Sequence, residues 1–171
     1  MNQRLIQHIE QHLPVMLKES RLGLENQSIQ HGDTTVLLHS MAVTYYSLKL
    51  AELLHIRYDQ NSLIRGALLH DYFLYDWHDP DPSHNFHGLR HAKTALRNAK
   101  MDFELTAKEQ DIILHHMFPL NLQPPRCREA FVVCAVDKGC GIYETLMRDT
   151  YPVLRGVLRE HMAYPNADGD V

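Results

Sequence analysis

This 171-residue sequence predicts an all-α fold, a compact bundle of six or seven helices, on three observations. Apolar residues recur at three- and four-residue intervals through most of the chain, the spacing that gives a helix one apolar face. Aspartate and threonine precede several of these stretches, where a side-chain oxygen can satisfy the free N–H groups of a first turn. No stretch alternates polar and apolar residues over strand length, and no internal repeat appears.

The elements follow in order. Residues 3–19 form an amphipathic helix that Pro14 is expected to divide, because proline brings no amide hydrogen to the helix. Asp33 is expected to cap a long helix reaching about His55, with Val36, Val43, Tyr46, Leu50, Leu53 and Leu54 as its apolar stripe. Asp59 caps the next, whose Leu63, Ile64, Ala67 and Leu68 lead to His70 and Asp71 on the same helix. The segment 72–86, YFLYDWHDPDPSHNF, mixes aromatics, acids and prolines. Its length makes it a candidate lid or substrate wall. A helix is predicted from about His87 to Lys100. Thr106-Ala107-Lys108-Glu109 reads as a capping box for another that ends near His116. The longest later helix covers about 126–148, and a short one 152–161. The chain reads as one domain over 1–164, with its core at 31–148 and a polar tail at 165–171.

Composition removes several classes of function. A net charge of -4 excludes a general nucleic-acid surface, though not a local basic pocket. No apolar run approaches the roughly 18 residues that span a bilayer. The first residues lack a signal-peptide core. Cys127, Cys134 and Cys140 form no CxxC pair, which fits a reduced cytoplasmic protein.

The chemistry lies in the histidines, 13 in all. His39 shares a helical face with Val36, Val43 and Tyr46. His70 and Asp71 follow an apolar run, and Asp137 interrupts another, with Gly141 and Glu144 on its own face. Imidazoles and carboxylates at core-facing positions are costly unless something compensates them, and one divalent cation compensates several. His39, His70, Asp71 and Asp137 therefore read as a mixed nitrogen and oxygen metal site with room for water. His8, His12, His55 and His161 read as surface or hydrogen-bonded residues.

HGDTTVLLHSMAVTYYSLKLA, IRGALLHD and VVCAVDKGCGIYE, taken in order, resemble the metal-binding helices of the HD superfamily, named for its His-Asp pair. The resemblance runs from His31 to about Glu144. It implies an HD-type bundle around a buried metal site, and phosphomonoesterase or phosphodiesterase activity. Similarity to binuclear members implies that Asp71 bridges two ions, with His87, His115 and His116 completing the second. In FHGLRHAKTAL the packing position that is often glycine in relatives is His91, so His87 and His91 both stand as the ligand on that helix.

The implied enzyme is a metal-dependent phosphohydrolase that uses one or two divalent transition-metal ions to activate water on a small phosphorylated substrate. Manganese, iron and zinc all suit the ligands, and a nucleotide is among the substrates. Asp71, His91 and Lys138 are the candidate catalytic residues, with His84 and His78 as further candidate acids. Arg90, Lys93 and Lys138 are candidate phosphate contacts. Leu74 stands where a lysine follows the His-Asp pair in some relatives, and MFPLNLQPP carries no GYP after His116. Both absences disfavour a cyclic-dinucleotide phosphodiesterase, and Asp76, Asp79 and Asp81 make the loop a poor host for a polyanion. The alternatives are an HD-fold di-iron oxygenase and a noncatalytic metal- or ligand-binding domain.

Overall fold

The computed structural model describes residues 1–75 and 87–163, with the side chains of residues 87–89 outside the description. Among the described residues seven α-helices carry the fold: α1 (Gln3–Glu19), α2 (Val36–Leu53), α3 (Gln60–Leu68), α4 (His87–Asp102), α5 (Ala107–His115), α6 (Arg128–Leu146) and α7 (Pro152–Ala163). The architecture is all-α, as expected. The segment 76–86 and the tail 165–171 lie outside the described residues.

Helix α2 is the axis. It is buried on nearly every side, from Val36 through Ala51, and its apolar residues leave no polar face. Helices α3 and α6 pack on it, α1 and α7 cover it further, and α5 closes against α3, α6 and α4. The core joins Leu5, Ile9 and Leu13 of α1 to Leu37, Met41 and Leu48 of α2, Leu63 and Ile64 of α3, and Ile112 and Ile113 of α5.

Most helix starts follow their capping residues. Asp59 accepts the Ser62 amide, and Thr106 and Glu109 form the reciprocal capping box. Four expectations need correction. Helix α1 runs unbroken past Pro14, which sits on the exposed side where water can satisfy the carbonyl that proline leaves free. Thr35, not Asp33, caps α2 by accepting from the Leu38 amide. Asp33 instead accepts from the Asp149 amide at 3.0 Å. A short hairpin pairs β1 (Ile29–His31) with β2 (Thr34–Thr35) where no strand was expected. Its turn needs Gly32, which has φ of +60° and lies too close to the Glu144 carbonyl for a side chain. Finally, α3 stops at Leu68, so His70 and Asp71 lie in the turn beyond the helix rather than on it.

Candidate metal centre

That turn is held from two sides. The Asn98 amide donates to the Tyr72 and Phe73 carbonyls at 3.1 and 2.9 Å. The Tyr72 hydroxyl donates to Asp102 at 2.7 Å, and Asp102 also receives the Arg21 guanidinium at 2.8 Å. Two side chains that would each prefer water are thus fixed in the interior. His70 is fully buried and Asp71 is 1% exposed.

Around them converge His39 from α2, Asp137 from α6, His116 from the end of α5 and His91 from α4. His39 Nε2 lies 3.1 Å from Asp137 Oδ1 and 3.8 Å from Asp71 Oδ2. His70 Nε2 lies 3.4 Å from Asp71 Oδ2 and 3.5 Å from Asp137 Oδ1. The other Asp71 oxygen, Oδ1, faces His91 Nε2 at 3.3 Å and His116 Nε2 at 3.4 Å, and those two nitrogens are 2.9 Å apart. Two donors each about 2.1 Å from one ion, at angles between octahedral and tetrahedral, stand about 3.0–3.4 Å apart. Most of the spacings fall in or within 0.1 Å of that range, and the His39–Asp71 distance of 3.8 Å is the exception.

The far side of each ring explains why these nitrogens are available. His70 Nδ1 donates to the Ala67 carbonyl at 2.8 Å, and His116 Nδ1 to the Ile113 carbonyl at 2.8 Å. His39 Nδ1 donates to Glu144, a fully buried carboxylate, at 2.8 Å. In a neutral ring the inward Nε2 then carries a lone pair. Lone pairs from three imidazoles therefore point at carboxylate oxygens. Only a cation or added protons make that arrangement favourable. His70 Nε2 and Asp71 Oδ1 are buried with no hydrogen-bond partner in the protein. An outward donor orienting each ring is the usual support of a ligating histidine. The donor set therefore fits a divalent ion.

Charge tells the same story. Burial alone would lower the His39 pKa, but hydrogen bonds to Asp137 and Glu144 overcome it and raise it well above the ordinary value. Burial would raise the Asp71 carboxyl; the nearby imidazoles of His70, His116 and His91 instead hold it well below its usual range. Asp137 is lowered similarly, with burial outweighed by His39 and His70. His116 is lowered, by burial first. Without an ion, protons stand in for its charge.

Other predicted site residues fall differently. His115 is turned away. Its Nδ1 pairs with Asp111 at 2.7 Å, and the ring lines a separate cavity with Leu96 and Lys100. Adjacent helical residues diverge by about 100°, so α5 can send only one of the pair inward. Arg90 and Lys93 are exposed on α4 and do not line the cavity at the centre. Lys138 does line it, held by the His116 carbonyl at 2.7 Å and the Cys134 carbonyl at 3.2 Å. The His87 side chain, His78, His84, Asp76, Asp79 and Asp81 lie outside the described residues.

Three further side chains reach the centre without having been singled out. Gln30 of β1 donates to Asp71 Oδ2 at 2.5 Å. His31 stacks edge-on to His39 with ring centroids 5.7 Å apart, and its ring needs the space left by Gly141. Glu25 is buried with both carboxyl oxygens unpaired, and burial with the Asp71 charge pushes its pKa well up. Helical spacing could have exposed the role of Glu144, two turns after Asp137; a three-residue strand offers no comparable signal for Gln30 or His31.

The centre opens into a cavity of about 930 Å³ that also exposes Asp71, His91, His116 and Asp137. No helix among the described residues is long and apolar enough to cross a membrane. No curated protein matches the chain. No solved structure matches it either. The family model described as HD domain matches residues 36–139, more than half the chain and a span holding His39, His70, Asp71, His91, His116 and Asp137. On that match and this buried His/Asp cluster, the chain belongs to the HD domain family.

Proposed function

We propose that the protein is a metal-dependent phosphohydrolase acting on a small phosphate ester in the cytoplasm. One observation carries the reading: Asp71 offers one carboxylate oxygen to the His39, His70 and Asp137 group and the other to the His91 and His116 group. These residues would hold two divalent ions, with Asp71 between them. Bound there, such ions supply a water of lowered pKa and neutralise phosphoryl oxygens.

The chain's own residues do the rest. Glu144, the Ala67 carbonyl and the Ile113 carbonyl lock three rings in place, so no reorganisation is needed when substrate arrives. Lys138, fixed by two carbonyls at the cavity wall, presents a positive charge to a phosphoryl oxygen. We assign His91 to the ligand group rather than to leaving-group protonation, because its Nε2 faces Asp71 and His116. Gln30 and His31 wall the pocket on the hairpin side.

The test is anaerobic phosphate release from a panel of phosphate esters by manganese-loaded protein. Turnover without oxygen is the expected result. Substrate loss that requires both iron and dioxygen, with no phosphate released under argon, would overturn the proposal in favour of an oxygenase.

A further inference from the structure

The cavity wall beyond the ligand cluster is apolar. Met117, Pro119 and Leu120 follow α5, and Ile142 and Leu146 stand one turn apart on α6. Leu120 is 54% exposed, Ile142 64% and Leu146 75%, so their surface meets solvent at the mouth of the site. They are neighbours of the metal centre, not a separate patch.

Among the described residues, most polar groups of the same wall are already engaged. The Thr145 hydroxyl donates back to the Gly141 carbonyl at 2.7 Å, the Gln30 amide nitrogen to Asp71, and Lys138 to two carbonyls, which leaves the Gln30 Oε1 and the His31 ring as the polar groups still open on this wall. A base and ribose placed here would give up water for described walls that return few hydrogen bonds, at a cost for each group. An alkyl or aryl group would instead cover exposed apolar surface and gain by it. A cavity of about 930 Å³ lies within the range of small-molecule sites.

We infer that the substrate is a phosphate monoester of an apolar alcohol, its phosphoryl group at the His/Asp cluster and its hydrocarbon part against Leu120, Ile142 and Leu146, rather than a nucleotide. This inference rests on the phosphohydrolase reading for its chemistry, but the apolar subsite is open to a test of its own.

Calorimetry of manganese-loaded protein with methyl-, butyl- and hexylphosphonate reads the subsite without turnover. Affinity should rise about twofold to fourfold for each added methylene until the wall is covered. The double variant Leu120→Ser/Leu146→Ser should flatten that slope, whereas Leu53→Ser, an exposed site on α2 away from this cavity, should keep it. The matching alkyl phosphates should then be hydrolysed with kcat/KM rising along the series and above that for AMP. No dependence on chain length, or AMP preferred to hexyl phosphate, overturns the inference while leaving the hydrolase reading intact. A binding slope with no ester hydrolysed keeps the subsite and removes the hydrolase reading.

Discussion

Glu109 and Glu129, near the start of α5 and of α6, are 2% and 3% exposed, almost as buried as Asp71 at 1%. Yet each of these glutamates is closed within the protein. Glu109 receives the Arg65 guanidinium and the Thr106 amide, both at 2.7 Å; Glu129 receives the Asp59 amide at 2.7 Å and Lys108 at 2.9 Å. The cluster around Asp71 is built the opposite way. Imidazole nitrogens and carboxylate oxygens face one another, and His70 Nε2 and Asp71 Oδ1 have no hydrogen-bond partner in the protein. Burial is common to both regions and marks neither. What separates a structural knot from a ligand site is whether its donors and acceptors cancel internally.

The sharpest way to break that contrast is Asp71→Ala. It should abolish stoichiometric metal retention and lower turnover by at least about 10³-fold, since ions in such sites supply several kcal/mol of charge stabilisation. Metal analysis beside an activity assay checks this, and full activity in the variant would contradict the bridging role. Next comes the adjacent pair on α5. His116→Ala should lose metal, whereas His115→Ala should keep its metal content and show only a lowered melting temperature through loss of its Asp111 contact. Equal metal loss in both would mean that the two rings share a role.

Glu144→Gln probes support rather than ligation. Metal affinity should fall about 10- to 100-fold, as expected when the partner orienting a ligating histidine is weakened. Titration of the metal-free protein with manganese reads it directly. The smallest effect belongs to the closed knot. Glu129→Gln should cost about 1–2 kcal/mol in urea unfolding and leave metal affinity unchanged. Burial would raise the Glu129 pKa, but the Asp59 amide and Lys108 hold it below the ordinary value. The stability this provides is therefore complete above the unfolded carboxylate pKa of about 4.3 and is lost as pH falls through the lower folded value. The gap between wild type and Glu129→Gln should close over that acid range.

Much of the fold was legible because local signals agreed with tertiary ones. The Asp59 and Thr106 caps stand where the sequence places them, and α4 to α7 differ from expectation by a few residues at their ends. His39, His70, Asp71 and Asp137 could be picked out because each interrupts an apolar run. The hairpin at 29–35 was hidden because strands of three and two residues leave no period to detect. The end of α3 was equally hidden, since Leu69 continues the apolar pattern past the last helical residue. The choice between His115 and His116 depends on how α5 is rotated against α3 and α6. Sequence spacing fixes the angle between neighbours, but not which of them faces inward.

The anchors of the three locked rings come from separate stretches of chain: Ala67 lies in the last turn of α3, Ile113 in α5 and Glu144 in the last turn of α6, while His39 itself belongs to α2. An ion held by His39 and Asp137 would join segments 98 positions apart. Because the unfolded chain does not hold the site together, binding adds stability that grows with the logarithm of the free ion concentration. Acquiring metal and completing the fold then become one process, and a chelator would loosen the bundle along with silencing its chemistry.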